Sequence, residues 1–182
     1  MPEWRRLPAG SLREPMIQTI ISELENGKTI LEFGSGKGTK ALINLGYKVF
    51  SIEENKDYWD LYHDNYLHCP LVGDSYENRC YPIKEVLDFA SNIEYDAILV
   101  DGPAQGSRCN LIELFSFLRT DNVAIFVDDI NRKPDIKFFN TIKGNREFRV
   151  YPEHYGVIKD GINTPSKTDK IENARRNLLR TM

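Results

Sequence analysis

Three groups of residues have types and spacings suited to chemistry. In LEFGSGKGTK, Leu31 to Lys40, Glu32, Gly34, Gly36 and Gly38 stand at every second position, with Ser35 between two of the glycines. Glycines let a backbone approach a bulky ligand, and a carboxylate at a strand end accepts hydrogen bonds and suits a cationic one. Glu53 ends the run YKVFSIE, where a carboxylate can take both hydroxyls of a ribose; Glu54 is its neighbour if the register shifts by one. Asp101 follows the apolar run YDAILV, and Asp128 and Asp129 follow NVAIFV. Carboxylates there can remove a proton from a hydroxyl or hold a hard divalent cation such as magnesium.

These residues need a frame that brings strand ends together, and the hydrophobic pattern predicts one. Leu12, Met16, Ile17, Ile20, Ile21 and Leu24 recur at helical spacing between Ser11 and Glu25, and Asn26 and Gly27 end that helix. TILEF predicts a strand, the glycines a loop, and Thr39 to Leu45 a helix stopped by Gly46. The unit repeats: YKVFSIEE as strand, DYWDLYHDNY as helix, PLVGD as short strand, IKEVLDFAS as helix. YDAILV and NVAIFV are nearly continuous apolar runs, as expected of central strands covered on both faces, with LIELFSFL as the helix between them. A helix near Ile136 to Ile142 leads to REFRVYPEHYGVIKD, two β-rich runs about a turn that predict an antiparallel hairpin. Alternation of this kind gives an α/β fold, doubly wound, with a mostly parallel sheet. Residues 1–160 read as one domain with an N-terminal helix, and 161–182 as a polar, basic tail with room for a short helix.

The glycine stretch also contains GSGKGT, which looks like a phosphate-cradling loop. That loop needs a glycine six positions before its lysine, and Leu31 stands there. The dinucleotide pattern G-x-G-x-x-G fails at its third glycine, where Thr39 stands. What fits is E-x-G-x-G-x-G, and this resembles motif I of the class I S-adenosylmethionine-dependent methyltransferases. The resemblance extends over roughly Thr29 to Lys159 and implies a Rossmann-like sheet of seven strands in the order 3-2-1-4-5-7-6, ending in the antiparallel hairpin. It implies S-adenosylmethionine as cofactor, with Glu32, Gly34, Ser35, Gly36, Gly38 and Glu53 around it and Asp74, at the end of the third strand in LVGD, near adenine. YDAILVDGP and VAIFVDDINR look most like small-molecule or sugar O-methyltransferases, some of which use a divalent metal; Asp101, Asp128 and Asp129 match their acidic positions. Successive residues on a strand face opposite sides, so Asp128 and Asp129 reach one ion only where the strand has already turned. Asp101 is the expected proton acceptor, with or without the metal. The N-P-P-[YFW] motif of amino-methylating nucleic-acid enzymes does not follow the fourth strand.

Other polar residues carry simpler readings. His63 and His68 fit one-face metal ligands poorly and read as a solvated helix end; His154 reads as a surface turn. Tyr58, Trp59, Tyr62 and Tyr66 read as helical packing, and Lys37 as solvent-facing. Arg108 and Arg132 follow the acidic strand ends and could hold an anionic acceptor. Cys69, Cys80 and Cys109 have no metal or redox spacing. A net charge of -3 with basic residues spread along the chain gives no clear nucleic-acid signal. No apolar run approaches the ~20 residues that span a bilayer, and the first residues lack a signal peptide's apolar segment, so a cytoplasmic location is expected. The expected function is methylation of a small hydroxylated acceptor. The other readings are a P-loop-like kinase or NTPase and a non-catalytic binding module on the same fold. The scarcity of lid elements in 182 residues makes completion of the pocket by a second subunit, in a homo-oligomer, a further expectation.

Overall fold

The structure, a computed structural model, describes residues 12–159; the predicted tail lies outside them. Its elements in chain order are α1 (Glu14–Glu23), β1 (Thr29–Phe33), α2 (Lys37–Asn44), β2 (Lys48–Glu53), β3 (Tyr66–His68), α3 (Ile83–Ala90), β4 (Ala97–Val100), α4 (Leu111–Phe115), β5 (Ala124–Val127), α5 (Lys133–Lys143), β6 (Glu147–Val150) and β7 (Gly156–Lys159). They build a seven-stranded sheet in the order β3-β2-β1-β4-β5-β7-β6. All neighbours from β3 to β5 are parallel, and β7 runs antiparallel to both β5 and β6. This is the expected doubly wound, Rossmann-like order, with a reversed last strand.

Side-chain alternation along the central strands divides the core into two layers. Ile30, Val49, Ala97, Leu99 and Phe126 face α1 and α2, where they meet Met16, Ile17, Ile20, Ala41 and Leu42. Leu31, Phe33, Ile52, Ile98, Val100, Ile125 and Val127 face α3, α4 and α5, against Val86, Leu114, Phe138 and Phe139. Because β1, β2, β4 and β5 run the same way, Glu53, Asp101 and Asp128 all emerge at one edge of the sheet, where ligands of such folds bind.

Three expected elements differ. DYWDLYHDNY is a chain of turns that leads into β3 at Tyr66. Its aromatics have helical spacing, but polar side chains capture the backbone: Asn55 Oδ1 accepts the Asp57 N–H at 3.0 Å, His63 Nδ1 accepts the Asn65 N–H at 2.9 Å, and Asp60 has φ of 58°. PLVGD is consequently not the third strand. Val72 makes only an isolated antiparallel bridge to Cys80. The helix expected from LIELFSFL is also shorter, beginning after a 3₁₀ turn at Arg108–Asn110 and ending at Phe115.

Candidate functional site at the carboxyl edge of the sheet

The glycine loop is built on the pairing of β1 with β2. In that register Glu32 lies opposite Ser51, both on the α2 side, and the Ser51 hydroxyl donates to Glu32 Oε2 at 2.6 Å. The Thr39 hydroxyl, from the first turn of α2, donates to the same oxygen at 2.9 Å and in turn accepts the Gly36 N–H at 2.9 Å. Glu32 is fully buried. Burial pushes its pKa up to about 8, against the pull of the Ser51 and Thr39 hydroxyls. It therefore braces the loop from beneath. Glu53 accepts the Ser35 N–H at 2.6 Å and the Asn55 N–H at 2.7 Å, and burial raises it to about 7 despite those two bonds.

Ser35 is tied sideways as well, its hydroxyl lying 2.7 Å from Tyr66 Oη and 3.1 Å from Thr39 Oγ1. His63 stacks on Tyr66 with ring centroids 4.1 Å apart, and its Nε2 lies 3.1 Å from Ser51 Oγ. Since Nδ1 accepts a backbone N–H, a neutral His63 carries its proton on Nε2 and donates to Ser51. Burial keeps its pKa below the usual value, which favours that neutral form. His63 is thus part of the scaffold beneath the loop rather than a solvated helix end. Neither Ser51 as a partner of Glu32 nor His63 as a partner of Ser51 was recognisable from sequence, although a serine facing a glutamate across two apolar strands is a signal once the register is known.

The glycines differ in purpose. Gly34 has φ of +85°, and a Cβ there would lie 2.5 Å from the backbone nitrogen of Gly102, so the glycine loop and the loop after β4 pack backbone to backbone. The N–H groups of Asp101 and Gly102 both donate to the Phe33 carbonyl, at 2.9 and 2.6 Å. This contact fixes Asp101 beside the glycine loop. A Cβ on Gly36 would meet nothing within 4 Å, so open space lies over the loop there. Gly38 instead receives Leu12, whose Cγ would be 2.6 Å from an added Cβ. Glu54, just after β2, ties the loop after β4 to the segment before α3 by accepting the Ala104 N–H at 2.7 Å and the Tyr81 hydroxyl at 2.7 Å. Asp74 is exposed, hydrogen-bonded by Asn78 in the turn that follows Val72. The register that placed it at the end of the third strand is not the observed one.

The second cluster lies where β4 and β5 end. Asp101, Asp128 and Asp129 each present a carboxylate oxygen within 4.8 Å of the others. The strand has turned by then: β5 ends at Val127, and Asp129 has φ of +55°, so the alternation that would separate the two neighbours no longer applies. Arg108 is 1% exposed and donates to the main-chain carbonyls of both Asp101 and Asp128. Its guanidinium is 3.7 Å from Asp101 Oδ1 and 3.9 Å from Asp129 Oδ2. Arg13 and Arg132 each approach Asp129 at 3.1 Å, and Arg132 also pairs with the buried Asp135. Desolvation raises Asp101 to about 7 against the attraction of Arg108, with Asp128 and Asp129 adding to the rise; Asp128 is raised too, for the same first reason. A group that titrates near neutrality can exchange protons with a hydroxyl at low cost. The oxygen-only donor set suits magnesium or a similar hard cation, with the nearby guanidiniums as competitors for the same oxygens.

No protein-family model matches this chain, and no curated protein matches it. Solved structures of similar fold include the methyltransferase MycE of the mycinamycin biosynthetic pathway, in complex with Mg and SAH. It is 14% identical with a TM-score of 0.47 and is matched over 86% of this chain, which spans 50% of that protein's length. A TehB-like SAM-dependent methyltransferase from Corynebacterium glutamicum is 16% identical, with a TM-score of 0.44 over 79% of this chain and 84% of that one. A precorrin-6y C5,15-methyltransferase from Geobacter metallireducens is 12% identical, with a TM-score of 0.48 over 80% and 85%. Among the described residues no helix is long and apolar enough to cross a membrane.

Proposed function

We propose that this protein is an S-adenosylmethionine-dependent methyltransferase acting on an oxygen of a small hydroxylated or sugar-like acceptor. The observation that carries the reading is the pair of buried carboxylates at the glycine loop, Glu32 and Glu53, held by hydroxyls and backbone N–H groups. Fold alone does not define activity, so the reading rests on this site. A carboxylate has about four lone-pair positions, and Glu53 commits two to Ser35 and Asn55, leaving capacity for ribose hydroxyls. Open space over Gly36 leaves room for the ligand beside the loop. S-adenosylmethionine, when bound, supplies an electrophilic methyl group on a positively charged sulfur.

The chain's own residues position and deprotonate. Glu32 acts through Thr39 and Ser51 to hold the loop in shape, and the contact of Gly34 with Gly102 keeps Asp101 next to it. Asp101 takes the acceptor's proton as the oxygen attacks, and alignment of the reactants supplies most of the remaining acceleration. Asp101, Asp128 and Asp129 would hold a divalent cation, which lowers the pKa of an acceptor hydroxyl. The kinase-like reading fits poorly. The N–H groups of Ser35 and Gly36, which would face a phosphate, are spent on Glu53 and Thr39, and Glu53 would repel one.

Calorimetric titration with S-adenosylmethionine, S-adenosylhomocysteine and ATP, with and without magnesium, tests this on the wild type and on Glu53→Ala. Binding of both adenosyl sulfur ligands, weakened at least about tenfold by loss of the ribose contacts, is expected. Binding of ATP with magnesium alone would refute the proposal.

A further inference from the structure

The inference concerns the acceptor and rests on the methyltransferase reading. Arg13 precedes α1 and Arg132 precedes α5, so they enter from distant parts of the chain, yet both guanidiniums reach one carboxylate. Arg13 Nη2 lies 3.1 Å from Asp129 Oδ1, and Arg132 Nη2 lies 3.1 Å from Oδ2. Each is also anchored elsewhere: Nη1 of Arg13 donates to the Glu153 carbonyl, and Nε of Arg132 to Asp135. Each arginine therefore keeps an anchor besides Asp129. Their side chains are 40% and 44% exposed, against 1% for Arg108, so both are partly open to solvent while Arg108 is enclosed.

A guanidinium carries five N–H donors in a planar fork that matches carboxylate and phosphate oxygens. Two such forks, each anchored elsewhere and partly exposed, converge on one carboxylate and so form a clamp for an oxyanion. They stand beside the candidate proton acceptor, since the Asp129 carboxylate they share lies within 4.8 Å of Asp101. We propose that the acceptor bears a carboxylate or phosphate group, gripped by Arg13 and Arg132 beside Asp101 in place of the Asp129 carboxylate. Asp129 is then an internal anion that fills the clamp until the acceptor arrives. Tyr76 is exposed and close enough to Arg132 to influence its charge.

The test uses the full chain saturated with S-adenosylhomocysteine in metal-free buffer, titrated calorimetrically with inorganic phosphate and, separately, with malonate. Asp129→Asn, which releases both forks, should tighten anion binding about tenfold, and Arg132→Gln should weaken it by a similar factor. A purely structural pair would not give tighter binding in the first variant. Arg132→Lys, which keeps the charge and loses the fork, should fall between Arg132→Gln and the wild type. Lys84→Gln, on the exposed face of α3, should leave anion affinity unchanged. Tighter phosphate than malonate points to a phosphorylated acceptor, and the reverse order to a carboxylated one. The inference is overturned if S-adenosylhomocysteine binds while neither anion binds wild type or Asp129→Asn, or if Lys84→Gln weakens anions as much as Arg132→Gln. Failure of S-adenosylhomocysteine to bind would instead count against the methyltransferase reading itself.

Discussion

Two groups of carboxylates lie along one edge of the same sheet, and their negative charge is handled in opposite ways. Glu32 and Glu53 are buried with neutral donors, the hydroxyls of Thr39 and Ser51 and the N–H groups of Ser35 and Asn55. Asp101, Asp128 and Asp129 are buried or half-buried among the cations Arg108, Arg132 and Arg13. Dipoles orient a carboxylate without cancelling its charge, whereas a guanidinium cancels it. The glycine-loop end is thus left short of positive charge, which suits a cationic ligand. At the aspartate end a new cation must compete with those already present, and an anion can exchange with one.

Removing a partner should separate the two regions most sharply. Arg108→Met strips the buried cation from Asp101 and Asp135 and frees two strand-end carbonyls, so a loss of about 3–5 kcal/mol is expected in denaturant unfolding. Ser51→Ala removes one hydroxyl from Glu32 and should cost about 1–2 kcal/mol. Equal losses in the two variants would erase the distinction between cation-compensated and dipole-compensated carboxylates.

That distinction also marks what the sequence disclosed. The central strands, the glycine loop and the acidic strand ends were legible because apolar runs, glycines and acids at the ends of those runs are local signals, whereas the strand order came only from the resemblance that the glycine loop carries. The segment from Asp57 to Tyr66 was not, because helical spacing of its aromatics competed with side-chain captures of the backbone by Asn55 and His63. Asp74 was misplaced with it, since the position of β3 depended on the same segment. The partners of the site residues were least visible. Arg13 lies more than a hundred residues from Asp129, and Ser51 meets Glu32 only through strand register.

Ser51→Ala also carries a pH signature. Glu32, raised to about 8 in the folded state, binds its proton across a window in which the unfolded chain has released it. Stability from this group is therefore fully present below the ordinary carboxylate pKa and is lost as pH rises through about 8. Loss of the Ser51 hydroxyl, which pulls Glu32 downward, makes the ionised form still less favourable. The stability difference between wild type and Ser51→Ala should consequently be larger at about pH 9 than at about pH 5, read from unfolding curves at the two values. A pH-independent difference would mean that Ser51 serves packing rather than the carboxylate.

The smallest expected effect tests the ligand side of the comparison directly. S-adenosylmethionine and S-adenosylhomocysteine share their ribose, base, amino and carboxylate groups and differ by the methyl and the charge on sulfur, so the ratio of their affinities isolates that charge. Glu32 and Glu53, raised to about 8 and 7, gain negative charge together as pH rises from mildly acidic to mildly basic. The ratio should therefore move in favour of the sulfonium over that range, by about threefold to tenfold for one added charge at protein-like screening. Glu32→Gln should flatten part of the rise. Arg108→Lys, which keeps the compensating charge at the other cluster, should leave it in place, because a charge already cancelled at the aspartate end cannot distinguish the two ligands. A ratio that stayed constant with pH would show that the glycine-loop carboxylates are as fully compensated as the aspartates, by groups other than the dipoles that hold them.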